Sequence, residues 1–165
     1  MLVHPKMCDL ETAIERVNNH KKNGKKIVFT NGCFDILHPG HVDLLARAKE
    51  LGDILVIGLN SDASVKAQGK GEDRPFNTYD ARAFVLSHLE SVDIVVPFSD
   101  KTPIILIEKL VPNVLVKGGD WSIANIVGRS IVEEHGGSVH SLSLIQGYST
   151  TNLADKISQT HKVKK

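Results

Sequence analysis

The sequence lacks the features of a secreted, membrane-spanning or strongly charged protein. Its 165 residues include only two cysteines, too few for the disulfide framework of a small secreted domain. The N-terminus, MLVHPKMCDL, has no signal-peptide pattern, and no apolar run approaches the ~18 residues of a membrane span. A formal net charge of +1 provides no bulk attraction for nucleic acid or an anionic membrane. We therefore expect a cytoplasmic protein whose partners include neither nucleic acid nor a membrane.

Short runs of branched apolar residues alternate with segments of helical periodicity. The apolar runs predict strands at 25–30, 53–59, 92–98, 113–118 and 137–144. Most of these runs are continuously apolar, which is typical of strands covered on both faces. Helical spacing predicts helices at 9–23, 40–51, 78–89, 103–110, 123–135 and 150–158. These repeated strand and helix units predict an α/β fold, a Rossmann-like, doubly wound sheet of five parallel strands in a single domain.

No change in composition divides the chain into separate domains. We expect residues 1–24 to contain an N-terminal helix packed on the domain, residues 25–160 to form that domain, and residues 161–165 to be a basic tail. About 24 residues are too few for a domain of their own, so we expect no second folded unit before the first strand. Residues 60–77 are predicted to form a long polar loop, and loops of this length are usually functional or mobile.

The predicted fold limits where a ligand can bind. In an open parallel sheet, ligands lie at the carboxyl ends of the strands. That rule selects residues 30–41, 60–77, 98–102, 117–122 and 145–151. Neither the dinucleotide motif G-x-G-x-x-G after the first strand nor the P-loop motif G-x-x-x-x-G-K-[ST] is present. Any phosphate must therefore be bound by a different arrangement.

Residues 29–41, FTNGCFDILHPGH, place His38 and His41 at the start of a predicted helix. A metal site would need further ligands, and the other histidines form no second ligand pair. A Ser-His-Asp hydrolase is disfavoured because no G-x-S-x-G motif follows a strand. In a third interpretation, both imidazoles donate hydrogen bonds to an anion at the positive end of the helix, where Gly32 and Gly40 allow close approach. The residues favour this third interpretation, and two ordinary polar residues at a helix entry are the alternative.

Residues 147–157, GYSTTNLADKI, repeat the pattern before the last predicted helix. Ser149, Thr150 and Thr151 would supply hydroxyl groups and backbone N–H groups to an anion at that helix start. Taken alone, the same residues also fit an ordinary helix cap. Two helix starts at one sheet edge nevertheless suit a polyphosphate better than one.

Cationic residues follow several of the strands and could meet a polyphosphate: Lys66, Lys70, Arg74, Arg82 and Lys117. For any single lysine, a solvated surface charge is the simpler explanation. Lys117 differs, because it ends an apolar strand and precedes the sequence Gly-Gly-Asp. We therefore expect Lys117 in the site in preference to Lys66 or Lys70.

Two motifs resemble those of the cytidylyltransferase-like nucleotidyltransferases. TNGCFDILHPGH resembles their first motif, with the H-x-G-H element at 38–41, and GYSTT at 147–151 resembles their closing G-x-S-T-T motif. The resemblance runs from about residue 25 to residue 158. Within that superfamily the chain most resembles the D-glycero-D-manno-heptose 1-phosphate adenylyltransferases, the nucleotidyltransferase half of bifunctional ADP-heptose synthesis proteins. The segments that carry this resemblance are GLNSDASVK (58–66), RPFN (74–77), VDIVVPF (92–98), LVKGGDW (115–121) and QGYSTTN (146–152).

Departures from the related glycerol-3-phosphate cytidylyltransferases weaken the cytidylyl alternative. Those enzymes typically carry G-H-D-W where this chain has GGDW at 118–121. They carry R-T-E-G-I-S-T-T where it has LIQGYSTT at 144–151. Gln146 also replaces an acidic residue expected from the resemblance.

The resemblance implies an ATP-dependent sugar-phosphate nucleotidyltransferase. Such an enzyme transfers AMP from ATP to D-glycero-D-manno-heptose 1-phosphate, giving ADP-heptose and pyrophosphate for the lipopolysaccharide inner core. It implies Mg²⁺ with ATP as co-substrate, and a homo-oligomer. The alternatives are a CTP-dependent transferase acting on glycerol 3-phosphate or a similar alcohol phosphate, and a module that binds nucleotide without turnover.

The resemblance also implies a role for each residue of the site. The implied catalytic residues are His38, His41, Lys117 and Arg82. The implied nucleotide-binding residues are Thr30, Asn31, Gly32, Phe34, His38, Gly40, His41, Gly118, Asp120, Ser149, Thr150 and Thr151. The implied substrate-binding residues are Asp35, Arg82, Lys66 and Trp121, and Asp35 is the implied ligand of Mg²⁺.

Overall fold

Five parallel strands form the centre of the computed structural model, which describes residues 2–69 and 73–162, the last two by their backbone alone. The strand order is β3-β2-β1-β4-β5, and every neighbouring pair is parallel. The strands are β1 (Ile27–Gly32), β2 (Ile54–Asn60), β3 (Ile94–Phe98), β4 (Val114–Gly118) and β5 (Ser138–Leu142). This sheet confirms the predicted Rossmann-like fold. Lys70 and the end of the predicted basic tail lie outside the described residues.

Helices connect the strands and cover both faces of the sheet. They are α1 (Leu10–Lys22), α2 (Pro39–Lys49), α3 (Asp62–Ala67), α4 (Tyr79–Ser87), α5 (Ile104–Leu110), α6 (Arg129–Glu134) and α7 (Thr150–Lys162). The N-cap of α1 is Asp9, whose side chain accepts a hydrogen bond from the backbone N–H of Thr12. None of the described helices has the length and apolar character needed to cross a membrane.

The sheet separates two apolar cores, and β1 contributes to both. Phe29 belongs to the core that includes Leu106 of α5 and Val132 of α6. Its neighbour Val28 belongs to the opposite core, with Leu45 of α2. Successive side chains of a strand point to opposite faces, so apolar residues are required at consecutive positions. This explains why most of the strand sequences are continuously apolar.

Two predicted elements differ from the structure. The segment 60–77, predicted as a loop, contains α3, whose N-cap Ser61 accepts a hydrogen bond from the N–H of Ser64. A helix of six residues is too short for apolar periodicity to be visible. The helix predicted at 123–135 is instead a 3₁₀ turn, Ile123–Asn125, followed by α6. It is interrupted at Gly128, whose φ of 86° lies outside the helical region.

We predict that α5 tolerates truncation on one side alone. Ile107 is fully buried and Ile105 is 42% exposed, although both lie on the same helix. Ile107→Ala should lower the free energy of unfolding by about 2–5 kcal/mol because it leaves a cavity. Ile105→Ala should lower it by less than about 1 kcal/mol. Urea unfolding of both variants measures the difference, and equal losses would contradict the position of α5.

Candidate active site

The turn between β1 and α2 carries most of the predicted site residues. It contains Phe34, whose φ is 46°, an uncommon conformation for a residue with a Cβ atom. The Phe34 ring is 5% exposed and packs edge-on against the His41 ring, with 5.2 Å between centroids. A Cβ atom on Gly32 would lie 2.9 Å from the Phe34 ring. The turn therefore packs tightly and holds the ring beside the second histidine.

His38 and His41 form a stacked pair at the start of α2. His38 is the N-cap residue, yet its side chain makes no capping hydrogen bond, and Pro39 occupies the first turn. The two imidazole centroids are 3.8 Å apart with an interplanar angle of 20°. A Cβ atom on Gly40 would lie 3.1 Å from Nδ1 of His38, so a larger residue would displace that ring. The N–H groups of this first helical turn carry the positive end of the helix dipole.

Both histidines are held in the neutral form. Burial, and to a smaller extent repulsion from His38, lowers the pKa of His41 to about 4. A hydrogen bond to the backbone of Ile36 offsets part of that shift. Burial also lowers the pKa of His38. At neutral pH each ring therefore has one N–H donor and one acceptor nitrogen, and the donor of His41 is shared with the Ile36 backbone.

Three buried side-chain atoms around this turn have no hydrogen-bond partner within the described residues. They are Oγ1 of Thr30, Nδ1 of His38 and Nδ1 of His41. Buried polar atoms of native proteins are nearly always paired. Three unpaired atoms in one place therefore indicate a site for a polar ligand.

The start of α7 lies beside the start of α2. Ser149 caps α7, since its Oγ accepts a hydrogen bond from the N–H of Asn152 at 3.0 Å. The Thr150 hydroxyl donates to the carbonyl oxygen of Ile36 at 3.3 Å. A Cβ atom added to Gly40 of α2 would lie 3.6 Å from the Cβ atom of Tyr148. Two helix N-termini, each with a positive partial charge, therefore flank one site.

A cavity of about 480 Å³ opens between these two helix starts. We call it the histidine cavity. Its lining residues are Cys33, Phe34, Asp35, His41, Val65, Arg74, Thr150 and Thr151. It is large enough for part of a nucleotide, and its donors include Arg74 and the Thr151 hydroxyl, together with the N–H groups at the starts of α2 and α7. An anion is the ligand that this set of groups favours.

The Asp35 carboxylate, predicted as a magnesium ligand, is bonded on both oxygens to protein donors. Oδ2 accepts from Arg74 Nη1 at 3.2 Å and from the N–H of Phe76 at 2.9 Å, and Oδ1 accepts from the N–H of Asn77 at 2.9 Å. Asp35 is 6% exposed. A metal ion would have to compete with all three of these bonds. Among the described residues, no three His, Cys, Asp or Glu side chains are grouped as metal ligands.

Arg82, predicted to bind phosphate, is instead enclosed by protein. Its side chain is fully buried and donates to the carbonyl oxygens of Asn77, Cys33 and Asn60, and to a carboxylate oxygen of Asp62. Four of the hydrogen bonds available to a guanidinium are therefore used. Through these bonds Arg82 joins the β1–α2 turn to the end of β2, and its catalytic role stays a prediction.

A second cavity of about 240 Å³ lies at the same sheet edge. We call it the lysine cavity. Its lining includes the predicted residues Asn31, Lys117 and Trp121, and residues that the sequence did not identify, Asn60, Gln68, Lys101, Thr102 and Asn125. Lys117 Nζ lies 5.6 Å from the centroid of the Trp121 ring. The surrounding apolar residues and amides suit an uncharged ring, and the two lysines suit an anionic group.

Asn31 and Thr30 lie on opposite faces of β1 by the alternation of the strand. Thr30 shares the face of Val28, which packs towards α2. Asn31 shares the face of Phe29 and lines the lysine cavity. The carboxyl end of β1 therefore separates the two cavities.

The remaining predicted residues differ in their surroundings. Gly118 is needed for packing, because a Cβ atom there would lie 2.5 Å from Leu44 of α2. Lys66 lies in the last turn of α3 and is exposed, as is Asp120. Neither residue lines the histidine cavity or the lysine cavity.

The comparisons with known proteins identify the family. Residues 29–141 match the family described as cytidylyltransferase-like. The bifunctional protein HldE of Geobacter metallireducens is 51% identical over 152 residues, and HldE of Geobacter sulfurreducens is 48% identical over 152 residues. Each alignment covers 92% of this chain and 31% of the relative, so the chain spans about a third of the length of the curated relatives it matches.

A solved structure has the same fold. It is the lipopolysaccharide core biosynthesis protein of Thermoplasma volcanium, with a TM-score of 0.62 and 26% identity over 76% of this chain and 100% of that one. The chain belongs to the cytidylyltransferase-like family. The predicted family and the predicted enzyme class, a nucleotidyltransferase, are thereby confirmed.

The neutral state of His41 predicts a pH dependence of stability. The folded protein keeps this ring neutral down to a pKa of about 4, whereas the unfolded chain takes up the proton near 6.5. Between these values the unfolded state binds more protons, so the free energy of unfolding decreases as the pH falls. The free energy of unfolding of His41→Asn should therefore decrease less steeply than that of the wild type between pH 7 and 4.5. Urea unfolding at several pH values measures both slopes, and equal slopes for the variant and the wild type would contradict the buried neutral ring. The control is His135→Asn, at an exposed position, which should keep the slope of the wild type.

The environment of Arg82 predicts a loss of stability on substitution. Arg82→Lys removes the planar fork that reaches four acceptors, so the free energy of unfolding should fall by about 2 kcal/mol or more. The control is Arg129→Lys, which changes an exposed ion pair with Glu133. Its free energy of unfolding should stay within about 0.5 kcal/mol of the wild-type value. A stable Arg82→Lys protein with a raised KM for a substrate would support direct substrate binding instead.

Proposed function

We propose that this chain transfers AMP from ATP to D-glycero-D-manno-heptose 1-phosphate, forming ADP-heptose and pyrophosphate. The observation that carries the proposal is the histidine cavity, where the His41 ring and the starts of α2 and α7 border a space suited to a triphosphate. The unpaired buried Nδ1 atoms of His38 and His41 lie beside it. Identity of about 50% to the HldE proteins supports the heptose substrate. The name of the Thermoplasma relative, a lipopolysaccharide core biosynthesis protein, supports the same pathway.

The proposed reaction needs no general base. The second pKa of a phosphate monoester is about 6, so the sugar phosphate is already ionised near neutral pH. One of its oxygens attacks the α-phosphorus of ATP, and the bond from that phosphorus to the bridging oxygen breaks. The electron pair leaves with pyrophosphate. The enzyme then has two tasks, to align the two phosphates and to donate hydrogen bonds where negative charge develops.

The neutral histidines fit the second task. A neutral imidazole is a hydrogen-bond donor that does not transfer its proton to the phosphate. The stacking of His38 on His41 and the packing of Phe34 on His41 hold the donors before ATP binds. We propose that His38 and His41 donate to the phosphates of ATP, with the N–H groups at the starts of α2 and α7.

We propose that the lysine cavity receives the sugar phosphate. It lies across the end of β1 from the histidine cavity, so an acceptor there would face the α-phosphate from the opposite side. Lys101 and Lys117 would neutralise its phosphate, and amide side chains such as Asn125 would bond its hydroxyl groups. Trp121 is 52% exposed and would cover one face of the sugar.

We propose that Mg²⁺ enters as the magnesium complex of ATP. Magnesium usually keeps several waters and binds proteins through one or two carboxylates together with substrate phosphates. The donor set of the histidine cavity agrees with this, since its carboxylate, Asp35, is already bonded to protein. Activity should require added Mg²⁺ and persist in a zinc-selective chelator.

A pyrophosphate-release assay tests the nucleotide and the acceptor together. Purified protein should release pyrophosphate with ATP and heptose 1-phosphate, and more slowly with CTP or with glycerol 3-phosphate. The magnesium requirement can be titrated in the same assay. Preference for CTP and an alcohol phosphate would favour the cytidylyl alternative. Tight ATP binding with no pyrophosphate release from either acceptor would favour a module that binds nucleotide without turnover.

Substitution of a histidine tests the proposed donors. Removing one donor to a transition state typically lowers kcat by about 100- to 1,000-fold. We expect losses of that size for His38→Asn and His41→Asn, with ATP affinity much less affected. His135→Asn, at an exposed position, should retain wild-type turnover. A loss of less than about fivefold in both site variants would indicate that the two rings are structural.

A further inference from the structure

Arg74 is the cationic residue that lines the histidine cavity. It lies between α3 and α4, and its side chain is 13% exposed. It lines the cavity together with His41, Thr150 and Thr151. Arg74 is therefore beside both helix starts at which the triphosphate is proposed to bind.

The hydrogen bonds of Arg74 differ from those of Arg82. Within residues 2–69 and 73–162, the Arg74 guanidinium makes one hydrogen bond to protein, from Nη1 to Asp35, and its Cζ atom lies 4.3 Å from the centroid of the Phe76 ring. A guanidinium has five N–H donors. Arg82 uses four hydrogen bonds on protein oxygens, whereas Arg74 keeps most of its donors for a ligand.

The charge of the cavity favours an anion at Arg74. Asp35 is the carboxylate among the lining residues, and the other polar lining groups are a neutral imidazole, hydroxyl groups and a thiol. Two backbone N–H groups stabilise the Asp35 carboxylate together with Arg74. A phosphate chain entering this space would meet Arg74 as its cation, and the planar fork of arginine suits two phosphate oxygens at once.

We propose that Arg74 binds the pyrophosphate portion of ATP and that Asp35 is a positioning residue that fixes the guanidinium for this contact. The Asp35 side chain is 4% exposed, and its two bonds from the N–H groups of Phe76 and Asn77 hold it in one orientation. The ion pair then fixes the end of the Arg74 side chain before the ligand arrives. This inference rests on the proposed function, since that function supplies ATP as the ligand and pyrophosphate as the leaving group.

Binding of magnesium pyrophosphate tests the contact without turnover. Calorimetry on the full chain should give a dissociation constant at least about tenfold higher for Arg74→Gln than for the wild type. Arg74→Lys, which keeps the charge and loses the fork, should fall between them. Arg129→Gln, on the exposed face of α6, should bind like the wild type. Unchanged pyrophosphate affinity in folded Arg74→Gln, or in Arg74→Lys if the first variant does not fold, would overturn the proposal.

Steady-state kinetics identify which phosphate Arg74 binds. We expect Arg74→Gln to raise the KM for ATP and to weaken product inhibition by pyrophosphate, with little change in the KM for the sugar phosphate. A change confined to the KM for the sugar phosphate would assign Arg74 to the acceptor and overturn the proposal.

The role of Asp35 is tested by a double-mutant cycle and a magnesium titration. If Asp35 acts through Arg74, Asp35→Asn should weaken pyrophosphate binding in the wild type and add little in the Arg74→Gln background. The Mg²⁺ concentration for half-maximal activity should stay within about twofold of the wild type. Additive effects, or a large increase in that concentration for Asp35→Asn alone, would assign Asp35 to the metal and overturn its positioning role.

These tests also separate the inference from the proposed function. Pyrophosphate binding requires no acceptor, so it reports on Arg74 whichever sugar phosphate the enzyme uses. If the wild type makes no ADP-heptose while Arg74→Gln still weakens pyrophosphate binding, the heptose substrate is refuted and the role of Arg74 stands. If the wild type makes ADP-heptose and Arg74→Gln binds pyrophosphate normally, the heptose substrate stands and the role of Arg74 is refuted.

Discussion

The geometry of the site depends on the hydrogen bonds that the Asp35 carboxylate accepts. This carboxylate joins the β1–α2 turn, which carries both histidines, to the segment before α4 through Arg74 and two backbone N–H groups. Arg82 joins the same two regions a second time and extends the connection to the end of β2. Two buried charges therefore hold one wall of the histidine cavity. Bonds of this kind keep donors in place before a substrate binds, which is how preorganised sites stabilise developing charge.

The parallel sheet determines where the two substrates can meet. All five strands end at one edge, and β1 is at the centre of the order. Thr30 and Asn31 point to opposite faces there, so one face of β1 leads to the histidine cavity and the other to the lysine cavity. An attack in line on the α-phosphate needs a nucleophile and a leaving group on opposite sides. The two cavities across the end of β1 provide that arrangement in the proposed reaction.

Much of this arrangement could be predicted from the sequence, because the signals are local. Short runs rich in apolar residues indicated each strand, and the rule for parallel sheets selected the edge where His38, Lys117 and Thr150 lie. The sequence could not indicate which arginine is enclosed by protein, since Arg74 and Arg82 both follow polar segments. Burial depends on contacts between distant segments, such as that between Arg82 and Cys33. The cation beside Asp35 was unpredictable for the same reason, as was the contribution of Lys101 to the second cavity.

We propose that the triphosphate of ATP lies between the starts of α2 and α7. A crystal structure of the chain with Mg²⁺ and a non-hydrolysable ATP analogue would show its position. We expect the β- and γ-phosphates within hydrogen-bond distance of Arg74 and the α-phosphate beside the histidine pair, with Asp35 still bonded to Arg74. A triphosphate bound by Lys101 and Lys117 in the lysine cavity would refute this position.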